Sequence, residues 1–545
     1  MFKQNTAHLQ SKMFGLLNSL PDAMQKHAKE SEEYCFYQII FCNINEKLFA
    51  PLFSDIKSRP NASINALVSA IILLNRNQWT YKKLFREIEF NILTKIALGV
   101  DELESMPFCE ATLFNFQNRL SDHFIKTGEN LLECVFDGLT EKQIKKLKLK
   151  TNIQRTDSFL AASNIRNYSR LQLLIEMIIR IYRVLSEEDK TRFTEQFEKY
   201  VKKSSGQYLY GLSSSDIPHE FEKIGQLYQW IEKNLLPLYA PLDIFKTFMR
   251  VYMEHYSVAT GNVELKPTEQ MTSDMIQSPD DLDATYRDKN GKVSKGQVIN
   301  VVETAHTENP LNLITDVAVN ANNMDDSVIL QTRLDKLIEK TPDLNELHFD
   351  GGYGSFENDE KMESNGIASI QTAVRGMEPA VQIKIDKLSN DQYKVTCPLQ
   401  SVKSKITRKR HKAMFDNSVC QTCCHNQNCP ASLGKTHRVY YFTHKDFLQK
   451  KRRQAIMNIP IERRKLRSNV EATVQEFSCR MHNKKLKVRG YFKTCIFAFT
   501  TASAINFGRI FRYLSNNPDK FRSFFVFVRN IFKEQLTMLD YVLEI

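Results

Sequence analysis

Several things are missing from this sequence, and each absence narrows what the chain is. Over 545 residues no apolar run reaches the roughly 18 residues of a membrane span, so no membrane-crossing helix is expected. The opening, MFKQNTAHLQSKMFGLLNSL, has neither the apolar core nor the small-residue cleavage site of a secretory signal. A cytoplasmic location is therefore expected, in which the eleven Cys would stay reduced. Six of them, Cys35, Cys42, Cys109, Cys134, Cys479 and Cys495, are scattered among apolar residues and read as small core hydrophobes. There is no internal repeat and no long low-complexity tract. What remains is a chain of ordinary globular composition, 42% hydrophobic and 25% charged, long enough for two to four domains.

Charge is present and unevenly placed. The net charge is +12, which favours a polyanionic partner, although a merely basic enzyme would show the same total. From Lys403 to Arg467 there are nine Lys and eight Arg against Asp416, Asp446 and Glu462, a local +14, which leaves about −2 for the rest of the chain. A basic segment inside a neutral protein reads as a binding surface for phosphates.

Residues 1–145 read as a helical N-terminal domain. ASINALVSAIILLNRNQWTYKKLFREIEFNILTKIALGV has apolar residues at helical spacing, and ATLFNFQNRL follows, with Thr112 as the expected N-cap and Leu113, Phe116 and Leu120 on one face. Short consecutive helices suit a DNA-binding module or a plain bundle. A strand is expected from Asn152 to Phe159, ending at Asp157. Residues 166–256 return to helical periodicity and read as an inserted helical subdomain. Then the period changes. GQVINVVETAH and LNLITDVAVNA read as adjacent strands, Ser327 to Lys340 as a helix, ELHFD as a strand ending at Asp350, the segment around Lys361 and Met362 as a helix, and IASIQ as a strand. The expectation is an α/β fold: a mixed sheet with helices on both faces, built from 146–165 and 257–375. Residues 376–460 are polar, basic and cysteine-bearing and read as an insertion. From Ile461 a helix resumes, with Leu466, Val470, Val474, Phe477 and Met481 as its apolar stripe, and 461–545 form the last helical part.

Three acids stand where chemistry could use them. Phosphodiester cleavage and strand transfer are served by two Mg²⁺ ions about 3.5–4 Å apart, held by carboxylates. Asp157 ends the first expected strand, Asp350 precedes the flexible GGYGS, and Glu471 lies on a helix with Arg467 one turn earlier on the same face. Spacing alone also allows an ordinary turn former and an ordinary surface pair, since the chain has 63 Asp and Glu.

Taken in order, the segments resemble insertion-sequence transposases of the DDE class, in the group with a helical N-terminal domain and a cysteine-bearing C-terminal insertion. The resemblance runs through WTYKKLFREIEFNILTKIALGV with ATLFNFQNRL, TDSFLAASNI, SPDDLDATYRDKNGKVSKGQVINVVETAH, LITDVAVNANNMDDSVIL, HFDGGYGSFEN, and RSNVEATVQEF with KVRGYFKTCIFAFTTASAINFGRI. It implies a ribonuclease-H-like catalytic domain in a bacterial, nucleoid-associated enzyme. It further implies Asp157, Asp350 and Glu471 as catalytic ligands of two Mg²⁺ or Mn²⁺ ions, and Arg467 as the Arg of an Arg-x-x-x-Glu motif that contacts phosphate or orients Glu471. Double-stranded DNA, as transposon ends and target, would be the partner, and the enzyme a homodimer. Two positions depart from the family: Arg464 stands where Tyr is usual, and Ser478 where Lys or Arg is common. A catalytically inactive transposase-derived DNA binder and a non-transposing nuclease are the alternatives.

Two further groups belong to the cysteine-bearing insertion and its flank. Cys397, Cys420, Cys423 and Cys429 form C-x22-C-x2-C-x5-C, a pattern that fits a structural Zn²⁺, with Cys424 as an extra thiol and His411 and His425 as substitutes. Reduced thiols in a compact loop are the other reading. Arg408, Lys409 and Arg410 before the cluster, and Lys450, Lys451, Arg452, Arg453 and Arg463 after it, are expected to grip DNA.

Overall fold

The computed structural model describes residues 1–9, 15–56, 59–259, 262–289, 291–372, 381–389, 392–521 and 524. The expected boundary near 375 and the chain beyond 524 lie outside them. The molecule is mixed α/β, and its centre is a mixed sheet. Its strands are β1 (Ile153–Ala162), β2 (Thr285–Lys289), β3 (Lys292–Thr304), β4 (Ile314–Ala321), β5 (Glu346–Phe349) and β6 (Ala368–Gln371). The spatial order is β4-β3-β1-β5-β6, with β2 continuing the β4 edge beside the first residues of β3. β3 runs antiparallel to β1 and to β4, and β5 and β6 run parallel to β1.

The strands follow from their residues. From Gly296 to Thr304 every residue of β3 is buried, including Val298, Ile299, Val301 and Val302, the near-continuous apolar run of a strand covered on both faces. Gly296 sits where β3 turns from β2 to β4, and a Cβ there would strike the Ala161 carbonyl and the Ser163 amide. β1 is different, because it is central yet polar. Buried Gln154 accepts from Thr315 Oγ1 at 2.6 Å and donates to Thr341 Oγ1 at 2.9 Å, so its burial leaves no polar atom orphaned. β1 also runs past the expected end, so Asp157 sits in mid-strand, paired with Val301.

Around the sheet lie α1 (Asp326–Lys340), α2 (Phe356–Ser364), α3 (His444–Asn458), α4 (Ile461–Ser468), α5 (Val470–Ser478) and α6 (Tyr491–Ser515). The single helix expected from Ile461 is two, joined at Asn469, and its buried face is Val470, Thr473, Phe477 and Met481, with Val474 half-buried. α6 is buried along most of its length between the sheet and the N-terminal helices. Phe507 meets Phe36 edge-on at 5.1 Å, Phe499 lies 6.2 Å from Phe136, and the Asn506 side chain bonds both the amide and the carbonyl of Ile314 on β4. Truncating such a buried Phe to Ala typically costs about 3–5 kcal/mol. The N-terminal helices therefore share one apolar core with the sheet. Among them, Glu110–Thr127 buries Leu113, Phe116 and Leu120 as expected, but Cys109 rather than Thr112 is its N-cap. Among the described residues no helix is long and apolar enough to cross a membrane.

Between β1 and β2 the chain makes seven helices within Arg170–His255, which close on a core of their own around Tyr228, Phe248 and Tyr252. The cysteine-bearing segment is not a loop. It forms a three-stranded and a four-stranded antiparallel sheet over Tyr393, Val395, Phe415 and Phe442, capped by Phe447 and Leu448 of α3.

Candidate active site

Side chains alternate across a strand, so Arg155, Asp157 and Phe159 of β1 share one face. That face meets α4 and α5. Arg155 donates to the Leu466 carbonyl at 2.9 Å, Asp157 pairs with Arg467, and Phe159 lies 5.3 Å from Phe477. The strand that carries the first acid thus also seats the helix that carries the third.

The three predicted acids meet on one guanidinium. Arg467 Nη2 is 3.3 Å from Asp157 Oδ2 and 3.9 Å from Asp350 Oδ2, and Arg467 Nη1 is 3.5 Å from Glu471 Oε1. Asp350 follows β5, the parallel neighbour of β1, and its Oδ1 accepts the Gly352 amide at 2.7 Å. The acids differ in exposure: 15% for the Asp157 side chain, 38% for Asp350 and 65% for Glu471. The site is thus closed at Asp157 and open to solvent at Glu471. Burial raises the Asp157 carboxyl above its ordinary value; Arg467 and the Ser158 amide pull it down, while Asp350 and Asp326 push it up.

Sequence reasoning missed the second layer. Glu303 of β3 stands opposite Arg155, fully buried, and pairs with it at 2.7 Å and with Arg509 of α6 at 2.7 Å, while Thr473 of α5 donates to it at 2.6 Å. Burial opposes the Glu303 charge, but Arg509 and Arg155 outweigh it and hold the carboxyl below its ordinary value. Arg509 also pairs with Glu476 at 2.7 Å, so the Glu471 helix is tied to β1, β3 and α6 through one buried acid. On the other face of β1, Ser158 donates to Asp326 at 2.5 Å, and Asn300 bonds Tyr353 at 2.6 Å and the Asp157 carbonyl at 3.2 Å. Asp326 opens α1 within the quoted NNMDDSVIL, and its place after a strand was the available signal.

The other predicted residues are dispersed. Arg463 pairs with Glu346 at 2.6 Å. The KKRR stretch lies on α3 against α2: Arg452 pairs with Asp359 at 2.5 Å, and Lys451 with Glu363 at 2.8 Å. Lys450 bonds the Ile383 carbonyl at 2.7 Å beneath Tyr440, and burial lowers its amine to about 8. Lys450, Lys451 and Arg452 thus have partners within the chain, and Arg453 follows them on the same helix. Arg452 and Gln371 also crowd Gly354, where any Cβ would clash. Beside this contact, a cavity of about 290 Å³ opens between Gly351, Ser355, Lys445 and Gln449. By contrast Arg408, Lys409 and Arg410 form an exposed turn between two short strands, with Arg410 stacked on Tyr441 at 4.7 Å. Cys397, Cys420, Cys423 and Cys429 line one small cavity. Among the described residues no three His, Cys, Asp or Glu side chains are already drawn into an ion-holding group.

Comparison with protein-family models, with curated proteins and with solved structures returns no match. Function is therefore argued from the site.

Proposed function

We propose that this chain is a DDE-type DNA transposase with a ribonuclease-H-like catalytic domain. It would bind the terminal inverted repeats of an insertion sequence, cleave them and transfer the strands to target DNA. The observation that carries this reading is the meeting of Asp157, Asp350 and Glu471 around Arg467, from a central strand, the end of its parallel neighbour and a facing helix. The sheet supports it, being an antiparallel run β1-β3-β4 extended on the other edge of β1 by two parallel strands.

The donor set fits Mg²⁺ or Mn²⁺. All three candidate ligands are carboxylates, a cationic group already sits within reach of each, and the two more exposed acids leave room for the waters such ions retain. When bound, the ions would activate a water or 3′-hydroxyl and stabilise the departing oxygen. The protein's own part is positioning. Arg155 and Glu303 hold α4 and α5 on β1, and Asn300 fixes the backbone at Asp157. Arg467 faces the acids with a planar fork suited to a phosphate. The exposed turn at Arg408, Lys409 and Arg410 supplies positive charge for the DNA backbone.

The test is divalent-metal-dependent cleavage of a duplex carrying the element's ends, followed by joining of the 3′-hydroxyl into plasmid DNA. Asp157→Ala, Asp350→Ala and Glu471→Ala should each abolish both steps while duplex binding persists. Cleavage without joining would reduce the reading to a nuclease. Binding without metal-dependent cleavage in the unmutated chain would reduce it to a DNA-binding protein.

A further inference from the structure

A second site lies away from the carboxylates, in the small β unit that precedes α3. Cys397 follows one strand of its three-stranded sheet, Cys420 lies in a short helical turn with Cys423 just after it, and Cys429 closes the next loop. The four are separated by up to 32 positions, yet all line one cavity of about 20 Å³ together with His425 and Arg438. That volume suits a single small occupant. Cys424, next in sequence to Cys423, does not line the cavity and is exposed.

The surroundings are those of a thiolate cluster. The Gln400 amide donates to Cys397 Sγ at 3.2 Å, and Gln400 Nε2 lies 3.5 Å from Cys420 Sγ. Donors aimed at sulfur hold it in place. Arg438 lines the same cavity and brings a positive charge beside the four thiols. The unit also has reason to need a cross-link, since among the described residues its apolar core contains only ten buried ones, two of them from α3.

We propose that Cys397, Cys420, Cys423 and Cys429 bind one Zn²⁺ as a closed tetrathiolate site that fastens the β unit in front of α3. The four cysteines line one cavity but are not at ligand spacing, so binding draws their sulfurs together by side-chain rotation. Each thiol gives its proton to solvent, and the resulting site carries a net charge of −2 beside Arg438 and the basic turn. Four thiolates complete the coordination shell, which makes the ion structural and leaves His425 outside it.

The experiment uses the full chain purified without chelator. Elemental analysis should find one zinc per chain, and exchange for Co²⁺ should give the thiolate charge-transfer and intense visible bands of a tetrahedral sulfur site. Cys424→Ser and His425→Asn should keep both signals, whereas Cys420→Ser and Cys429→Ser should weaken metal retention more than about tenfold. Because those variants could misfold, the unmutated chain carries a second readout. With zinc bound, alkylation followed by peptide mass spectrometry should label Cys424 quickly and the other four slowly, and chelation should equalise them. Absence of zinc, loss of the cobalt spectrum in Cys424→Ser, or equal labelling of all five thiols with metal present would each overturn the proposal. None of these outcomes depends on the carboxylate site.

Discussion

Arg467→Gln offers the sharpest test of the carboxylate site. The guanidinium faces all three acids, so a divalent ion held by them must displace it or share their charge. At 3.3 Å and an effective dielectric constant of about 20, the Asp157 pair alone has a raw attraction of about 5 kcal/mol. Desolvation and residual solvent access reduce that to about 1–2 kcal/mol, because neither side chain is fully buried. The Asp350 contact at 3.9 Å adds about 0.5 kcal/mol, and the largely exposed Glu471 contact adds close to nothing. About 2 kcal/mol of competition corresponds to up to about 30-fold in affinity. Mn²⁺ titration by calorimetry should therefore show tighter binding to Arg467→Gln than to the parent, with Arg467→Lys close to the parent because its charge remains. Strand cleavage should nevertheless fall in Arg467→Gln, since the fork offered to phosphate is gone. Equal or weaker Mn²⁺ binding by Arg467→Gln would refute the idea that this cation competes for the three carboxylates.

Three further outcomes follow from named contacts. Glu303→Gln leaves Arg155 and Arg509 without a counter-charge in a buried setting, and should cost about 3–5 kcal/mol, read as an earlier denaturation midpoint. His255 is buried beside Arg170, and burial lowers its pKa to about 3, so it stays neutral in the fold but charges below its usual 6.5 when unfolded. Stability should then fall by about 1.4 kcal/mol per pH unit as pH drops from 6.5 toward 3, and His255→Gln should flatten that slope in pH-dependent denaturation. Replacing Arg408, Lys409 and Arg410 together by Gln should weaken duplex binding and make its salt dependence shallower by up to about three phosphate contacts. An unchanged salt slope would remove that turn from the DNA surface.

How legible the fold was depended on how locally each element is specified. β3, β4 and α1 could be read because Val298 to Val302, Val317 to Val319, and Leu330, Leu334 and Leu337 carry their own periodicity. β1 reads short at its far end, because Leu160, Ala161 and Ala162 show no alternation of their own and are held by pairing with Val298, Gln297 and Gly296 of β3. The cysteine-bearing unit reads only as an insertion, because exposed Lys384, Lys394, Lys403 and Lys405 obscure the pattern of its short strands. The three acids were legible in blocks, and so was Arg467. Glu303 was not, since its partners Arg155 and Arg509 lie 148 and 206 residues away. KKRR marks another limit, since a run of cations in sequence reveals nothing about the acids folded against it. Asp359 and Glu363 occupy Arg452 and Lys451, whereas Arg408, Lys409 and Arg410 lie exposed in a turn.

The polar character of β1 and the geometry of the site have one physical origin. A central strand made of Val and Ile would be more cheaply buried, but it could not present a carboxylate in mid-strand or tie a helix to its own face. Here Asp157 is flanked two residues earlier by Arg155, which reaches the Leu466 carbonyl, and two residues later by Phe159, which packs on Phe477. Those two contacts grip the chain on both sides of Arg467 and Glu471. Moving the helix relative to the strand would break the Arg155–Leu466 hydrogen bond and open an aromatic contact together, so the distance from Asp157 to Arg467 is set by packing rather than by the weak pair itself. Asp350 needs no such device, because the parallel pairing of β5 with β1 delivers it to the same edge. Glu471, the most exposed of the three, depends wholly on how its helix is seated. Substitutions in that seat, Glu303 and Phe477 above all, should therefore damage cleavage far more than duplex binding, although neither residue touches the acids.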